Sequence, residues 1–498
     1  MRDGSRLLRG VVAALVALVL AGCVSEVSPP PPEPTSKPRA FTVGTTDQIS
    51  VTDPAAITDA ASSTVAYNVF QRLWTTEPGS TSPKPDAVQD CRFDSPTLYV
   101  CTLRKDLQFH NGHALTSSDV KFSIERALRL EVSGSSVSSL SSIRRIETPD
   151  DLTVRFILSR TDTEFVYGLA SPAASIVDEE VYDPDSIRKP DESMVGSGPF
   201  KVSFFNSEEL QLARNDTYQG NHAASVDGLI LKMYESSAEL EEAMAESEVD
   251  VVWRGLNTPA VTRLQNQIQT NANSRTDSGF GQVAVSGARV RQLRWHEDSD
   301  QRSRTAVRKA VAGALQDDRV MATLVPRTIE GSKETFDIGA GAKVSTPWKQ
   351  RIKLTLAYDP TAPDAADQAN QIRARLEDRA SMSVQLVKAT PVESADADLM
   401  LVDYKAWTPT GMAWLQPYLD QAIQSDEVKD QVTTLRETAD VAPSNAALGK
   451  LQDLAAEDLV VLPIIQTDEN VFVADGWLVD AALLAPGWQL GMWGFRRP

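Results

Sequence analysis

Cysteine and histidine are scarce in this chain: three cysteines and four histidines among 498 residues. Neither type forms the clustered spacing of a zinc site or a CxxC redox pair. His110 and His113 are the only closely spaced histidines, and they straddle an Asn111-Gly112 turn, so a solvated loop is the better reading. No HExxH, GxSxG or P-loop sequence occurs. Gly279-x-Gly281-x-x-Ala284 matches a dinucleotide fingerprint only in part, because strand-like Val283 to Val285 follows instead of a helix. The acidic residues are scattered without a spacing that singles out a catalytic pair. An enzymatic reading therefore has no positive support, and neither cofactor nor metal is expected.

Basic charge is also in deficit. The 49 Lys and Arg face 68 Asp and Glu, a formal charge of −19. Such a chain does not hold a nucleic-acid backbone, which needs a basic face. Long apolar runs are missing apart from one near the N-terminus, which excludes a polytopic membrane protein. What remains is a globular composition, 42% hydrophobic and 23% charged, enough for a sizeable core. The length suggests roughly two to four domains.

The N-terminal run reads as an export signal over residues 1–22. Arg2, Arg6 and Arg9 precede an uncharged stretch from Val11 to Ala21, too short to span a bilayer comfortably. It ends in Leu20-Ala21-Gly22-Cys23, which resembles the bacterial lipoprotein signal. That resemblance implies cleavage before Cys23 and lipid on its sulfur and amine; the alternative is an ordinary signal peptide with an incidental cysteine. Residues 23–40 carry Pro29 to Pro32, Pro34 and Pro38, a stiff extended tether with no means of forming a core.

Beyond Phe41 the pattern alternates between strands and helices. Cys91 and Cys101 flank a turn at Asp94-Ser95-Pro96, and a hairpin there would set them opposite each other. Outside the cytosol a disulfide is expected; a metal or redox pair lacks the necessary spacing. Ala66, Val69, Phe70 and Leu73 share one helix face. Thr116 and Asp119 form a near capping box, with Leu115 and Val120 as its hydrophobic staple. Val120, Ile124, Ala127 and Leu128 continue as a buried stripe. Ser236 and Glu239 open another helix before a strand over 250–253. Ile352 to Leu356, a helix through Leu376, and strands at 384–387 and 399–402 complete a βαβ-like unit, followed by an apolar run at 459–465. The class is α/β with mixed sheets.

The stretch from Leu103 through Phe109-His110-Asn111-Gly112 to Leu115-Thr116-Ser117-Ser118-Asp119-Val120 resembles the signature of family 5 extracellular solute-binding proteins, the peptide receptors of ABC importers. Gly196-Ser197-Gly198-Pro199-Phe200, then Arg214-Asn215-Asp216-x-Tyr218 and Glu248-Val249-Asp250-Val251, follow in the family's order. The match is good from about residue 41 to 255 and thinner beyond 300. The resemblance implies the two-lobed periplasmic-binding-protein fold with hinged lobes that close on ligand. It assigns 41–270 to lobe I with an inserted subdomain at about 80–195, 271–465 to lobe II, and 466–498 to a return into lobe I. The turns at Gly196, Gly198, His110 and Asn111 read as scaffold, the glycines supplying backbone angles.

In peptide-binding members the strand equivalent to Leu399 to Val402 leads to a loop whose Asp holds the peptide ammonium. Here Tyr404 stands at the family's Trp and Trp407 at its Asp, with Asp403 nearby. The expected ligand-binding residues are Trp407 and Tyr404, Trp253 at the lobe crossing, Asp403 if it takes over the anchor, and Asp47 after the first strand. Trp414, Trp477, Trp488 and Trp493 are assigned to core or rim. The expected function is a lipid-anchored, monomeric receptor on the outer face of the cell membrane. It would capture a peptide or small solute and deliver it to ABC permease subunits. The rivals are a same-fold receptor for a non-peptide solute such as haem, siderophore, opine or sugar, and a surface scaffold or sensor.

Overall fold

The computed structural model describes residues 40–77, 79–189, 193–341, 343–360, 362–389, 396–422, 425–479 and 489–498, without the side chains of 286–288. The export signal, Cys23, nearly all of the tether and Trp488 lie outside the described residues.

One ten-stranded mixed sheet runs through the body. Its strands are β1 (Thr42–Thr45), β8 (Phe200–Phe205), β9 (Glu209–Arg214), β10 (Gly228–Met233), β11 (Val251–Trp253), β12 (Phe280–Trp295), β13 (Ile352–Tyr358), β14 (Met382–Lys388), β15 (Leu399–Tyr404) and β16 (Val461–Ala474). Their order is β14-β13-β15-β12-β16-β11-β1-β10-β9-β8. One apolar core gathers around β1, β10 and β11, with Val43, Val251 and Trp253 fully enclosed. A second gathers around β13 and β15, with Leu356, Leu376 and Leu399 fully enclosed. Each such aliphatic side chain contributes roughly 1.5–3 kcal/mol by leaving water. These cores are the two lobes.

The long strands β12 and β16 connect them. The first half of β12 pairs with the end of β16, from Phe280 on Ala474 to Val285 on Glu469. Its second half pairs with the start of β16 and with β15. Between the halves the register shifts: residues 286–288 of β12 stand opposite Asp468 alone. This three-against-one mismatch is a special bulge, which bends the ribbon locally.

A separate antiparallel sheet, β4 (Val88–Ser95), β5 (Leu98–Leu103), β7 (Thr153–Leu158) and β6 (Ile143–Asp150), forms with the helix Ser117–Leu130 its own core. A short hairpin, β2 (Trp74–Thr76) with β3 (Pro83–Pro85), precedes it. Cys91 and Cys101 are register partners on β4 and β5 and are joined by a disulfide. The helix starts as its sequence predicts: Thr116 caps it and Asp119 returns the capping bond at 2.8 Å. Arg126 on this helix pairs with the buried Asp53 at 2.6 Å, tying the subdomain to lobe I.

The helix Ala60–Val69 ends earlier than its apolar spacing suggests. Phe70 is already extended and Leu73 lies beyond it. The stop is imposed from outside: Gly198 donates its N–H to the Val69 carbonyl at 2.8 Å. A Cβ on Gly196 would lie 2.2 Å from that carbonyl oxygen, and one on Gly198 2.6 Å from the carbonyl carbon. Neither glycine has a positive φ. Their role is close approach of two backbones, not the unusual angles read from the sequence. The chain end returns to the same helix: Asn68 donates to Leu490 O at 2.8 Å and accepts from Met492 N at 2.9 Å.

Candidate functional site

Strand direction places the site. β1 runs parallel to β11, and β13 parallel to β15. β11 and β12 are both antiparallel to β16, so β11 points toward lobe II. β15 is antiparallel to β12 and points toward lobe I. The carboxyl ends of both parallel sets therefore meet at the crossing, where open α/β sheets present ligand sites. Thr46 and Asp47 follow β1, Arg254 follows β11, Asp359 follows β13, and Lys405 to Trp407 follow β15.

The expected residues divide between two faces. Asp403 and Tyr404 are consecutive on a strand and point to opposite sides. Tyr404 and Trp407 line a small cavity of about 40 Å³ together with Ser139, Glu164, Thr408 and Arg436. Asp403 lines a larger, polar cavity of about 650 Å³ with Arg254, Arg289, Arg291, Gln368 and Glu469, flanked by the helices Thr258–Thr270 and Ala365–Arg379. Trp253 lines neither; its side chain is completely enclosed in the lobe I core. Asp47 sits beside Arg254 at 2.5 Å.

Asp403 is fully engaged. Arg291 Nε donates to it at 2.7 Å and a second nitrogen at 3.2 Å, and Arg289 donates at 3.1 Å. Burial would raise this carboxyl, but the two guanidinium charges outweigh burial and hold it below the usual carboxylate range. Asp403 is thus not a vacant anchor for an ammonium. Arg289 and Arg291 were not singled out by the sequence; their spacing of two on one strand face, opposite an acid, is the signal that points to them.

Tyr404 is fixed in place: its hydroxyl donates to Ala413 O at 2.6 Å, its ring meets Trp414 edge-on, and the Arg294 guanidinium lies 4.5 Å from its centroid. Trp407 reaches across the lobes. It packs against the lobe I core and donates Nε1–H to Gly134 O at 3.3 Å. Thr410 donates to Glu164 at 3.0 Å, and Thr163 N–H donates to Arg436 O at 2.9 Å. On the other face Thr258 donates its N–H and hydroxyl to Asp364 at 2.9 and 2.7 Å. The lobes are in contact on both sides of the sheet. Burial pushes the Glu164 carboxyl up to about 7; Asp162 adds to this, while Thr410 and Arg436 act against it.

The motif residues serve the scaffold. His110 accepts from Gly196 N–H through Nδ1 at 3.3 Å, and its Nε2 lies 3.1 Å from Gly198 O. Burial lowers its pKa to about 4, so the ring is neutral with its proton on Nε2, the tautomer that fits both contacts. Asn111 and His113 both contact Asp178. Among the described residues no group of three or more His, Cys, Asp and Glu is arranged to hold a metal, and no helix is long and apolar enough to cross a membrane.

Comparison with known proteins agrees with this architecture. The "Probable D,D-dipeptide-binding periplasmic protein DdpA" of Escherichia coli (strain K12) is 29% identical over 198 residues, 38% of this chain and 38% of that protein. The match thus spans well under two thirds of that relative. Among solved structures, the ABC transporter-associated periplasmic binding protein DppA from Helicobacter pylori in complex with peptide STSA superposes with a TM-score of 0.77 at 18% identity, covering 92% of this chain and 98% of that one. AgaA from A. tumefacien R10, in complex with agropinic acid, gives 0.77 at 18% identity with the same coverage. These likenesses show the two-lobed fold. The model of "Bacterial extracellular solute-binding proteins, family 5 Middle" matches residues 83–372, more than half of the sequence. The chain is a member of the family 5 bacterial extracellular solute-binding proteins.

Proposed function

We propose that this chain is an extracytoplasmic solute receptor of an ABC importer. It captures an oligopeptide or a related small solute between its lobes and delivers it to a membrane permease. The observation that carries this reading is the convergence of both parallel strand sets at the lobe crossing, where Tyr404 and Trp407 face the subdomain of lobe I. No covalent step is required, so no enzymatic activity is assigned. Trp407 and Tyr404 are the proposed solute contacts. Asp47 and Asp403 hold arginines at the crossing, and Trp253 supports it from the core.

The peptide in the Helicobacter pylori relative supports a peptide solute. The engaged Asp403 and the agropinic acid in AgaA support the second reading, a non-peptide solute on the same fold. The receptor is proposed to act as a monomer, held at the membrane by lipid on Cys23 and spaced from it by residues 23–40. Lobe I spans 41–270 with the insert at about 80–195, lobe II 271–465, and 466–498 returns. The strand pairing favours moving the first crossing to residues 286–288 and the second to Asp468.

Native mass spectrometry of the detergent-solubilised full chain, purified without denaturation, tests the proposal. A bound small mass is expected, together with a rise in melting temperature when that solute is added back. A clean apo mass combined with no thermal shift from a peptide and organic-acid panel would overturn it.

A further inference from the structure

The two faces of β15 differ in the room they leave. On the Tyr404 side the cavity measures about 40 Å³, space for a few waters. On the Asp403 side it measures about 650 Å³, within the roughly 300–1,000 Å³ of small-molecule sites. The helix Thr258–Thr270 turns one face to it through Thr258, Thr262 and Gln265, and the helix Ala365–Arg379 does so through Gln368 and Gln371. The charges around it are largely paired with one another. Asp403 holds Arg289 and Arg291, Asp47 lies on Arg254, and Asp364 accepts from Thr258. Asp367 stands exposed at the rim. A charged solute group would have to displace one of these partners, which is costly for a buried pair. The side chains of Thr262, Gln265, Gln371 and Thr467, by contrast, line the cavity and make no hydrogen bond among the described residues.

One contact in this cavity is incomplete. Glu469 on β16 is 5% exposed, and its Oε2 lies 3.5 Å from Arg254 and 4.0 Å from Nε of Arg289 on β12. Neither Glu469 Oε2 nor Arg289 Nε makes a hydrogen bond among the described residues. They are a buried acceptor and a buried donor too far apart to bond each other. One hydroxyl oxygen can sit about 2.9 Å from both, accepting from Nε–H and donating to Oε2. Ionic groups do not match this demand: an ammonium only donates, and a carboxylate only accepts. A trans peptide group offers both, but from atoms that point to opposite sides. Two enclosed, unsatisfied groups are unfavourable, and a bridging hydroxyl satisfies them together.

We propose that the cavity on the Asp403 side binds an uncharged, polyhydroxylated solute, a sugar or a sugar alcohol, with one hydroxyl bridging Glu469 and Arg289. This rests on the receptor reading and names its substrate class. The remaining hydroxyls meet Thr262 and Gln265 from the helix of lobe I, Gln371 from the helix of lobe II, and Thr467 between them. Amides and hydroxyls both donate and accept, as the solute does. A solute held from both sides favours the joined lobes. A ring sugar and an open-chain polyol share this chemistry.

Calorimetry on the full chain, solubilised in a detergent without a sugar headgroup, tests this with maltose, sorbitol and Ala-Ala-Ala. Any copurifying solute is identified by mass spectrometry in parallel. Maltose and sorbitol separate the ring from the open chain. The tighter of the two is expected to bind about tenfold or more tighter than Ala-Ala-Ala. Gln265→Ala and Gln371→Ala should each weaken it about threefold or more, with the fold intact by circular dichroism. Glu469→Gln, which keeps the volume and removes the charge, should cut the preference over Ala-Ala-Ala about fivefold or more. A merely structural role of Glu469 would weaken all probes alike. A wild-type preference below about tenfold, a charged copurifying solute, or an unchanged preference in Glu469→Gln overturns the assignment while the receptor reading stands. If no probe binds and nothing copurifies, the receptor reading falls and this assignment with it.

Discussion

Arg291 and Asp403 are register partners on the adjacent strands β12 and β15, and their side chains meet in an ion pair at 2.7 Å. Removing the acid strands two largely buried guanidinium groups. Asp403→Ala should therefore lower unfolding free energy by about 3 kcal/mol, since breaking a buried pair leaves an uncompensated charge. Urea denaturation checks this. A loss below about 1 kcal/mol would show that water reaches both arginines.

Glu164 makes the lobe interface sensitive to pH. With the lobes together its carboxyl holds a proton up to about 7, against 4.5 for the ordinary group. The joined state thus binds the proton more tightly. Joining is favoured at low pH and loses that advantage as pH rises from about 4.5 through 7. Solute affinity should fall about twentyfold or more between pH 5.5 and 8, and Glu164→Gln should flatten the profile. Calorimetry across that range decides it; a flat wild-type profile would remove Glu164 from the linkage.

Two glycines in the family signature should respond differently to alanine. Gly198 has no room, with backbone atoms of Val69 2.6 Å from its added Cβ. Gly112 has open space but a φ of +92°. Gly198→Ala should cost about 2 kcal/mol or more by overpacking, and Gly112→Ala about 1 kcal/mol by strain. Melting temperatures of the two variants give the order, and a reversal would mean that the Gly198 backbone shifts freely.

The Cys91–Cys101 bond closes a short loop with a sequence separation of 10. Replacing both cysteines with serine should destabilise the subdomain by about 2–3 kcal/mol. Hydrogen exchange on β4 and β5 would show whether the loss stays local; exchange that rises equally in lobe II would show that the body unfolds as one unit.

Cys23→Ala tests the proposed anchor. The wild type should sediment with membranes and the variant should appear in the soluble extracytoplasmic fraction. Membrane retention of the variant would sink the lipid-anchor reading.

What was legible in the sequence was local. The capping box at Thr116 and Asp119, the cysteine pair across a Pro turn and the Phe-His-Asn-Gly signature each lie within a few residues, where spacing alone constrains geometry. The candidate site was less legible, because it is assembled by register. Arg291 and Asp403 are 112 residues apart in sequence, and only the pairing of β12 with β15 brings them together. Asp403 and Tyr404 are neighbours in sequence, but the alternation of a strand sends them to opposite faces. Trp253 lies at the end of a strand near the crossing, and the parity of that strand turns its side chain into the core.

The ribbon of β12 and β16 has a mechanical consequence. A sheet continuous through both lobes resists sliding, because a one-residue slip would turn every inward side chain of the slipping strand outward. Shear and axial rotation are therefore stiff. Bending at the three-to-one mismatch opposite Asp468 is the compliant coordinate, since the ladder is already interrupted there. The two halves move like the leaves of a strap hinge, with a single angle as their reaction coordinate. One pair of fluorescent labels is then enough to follow it.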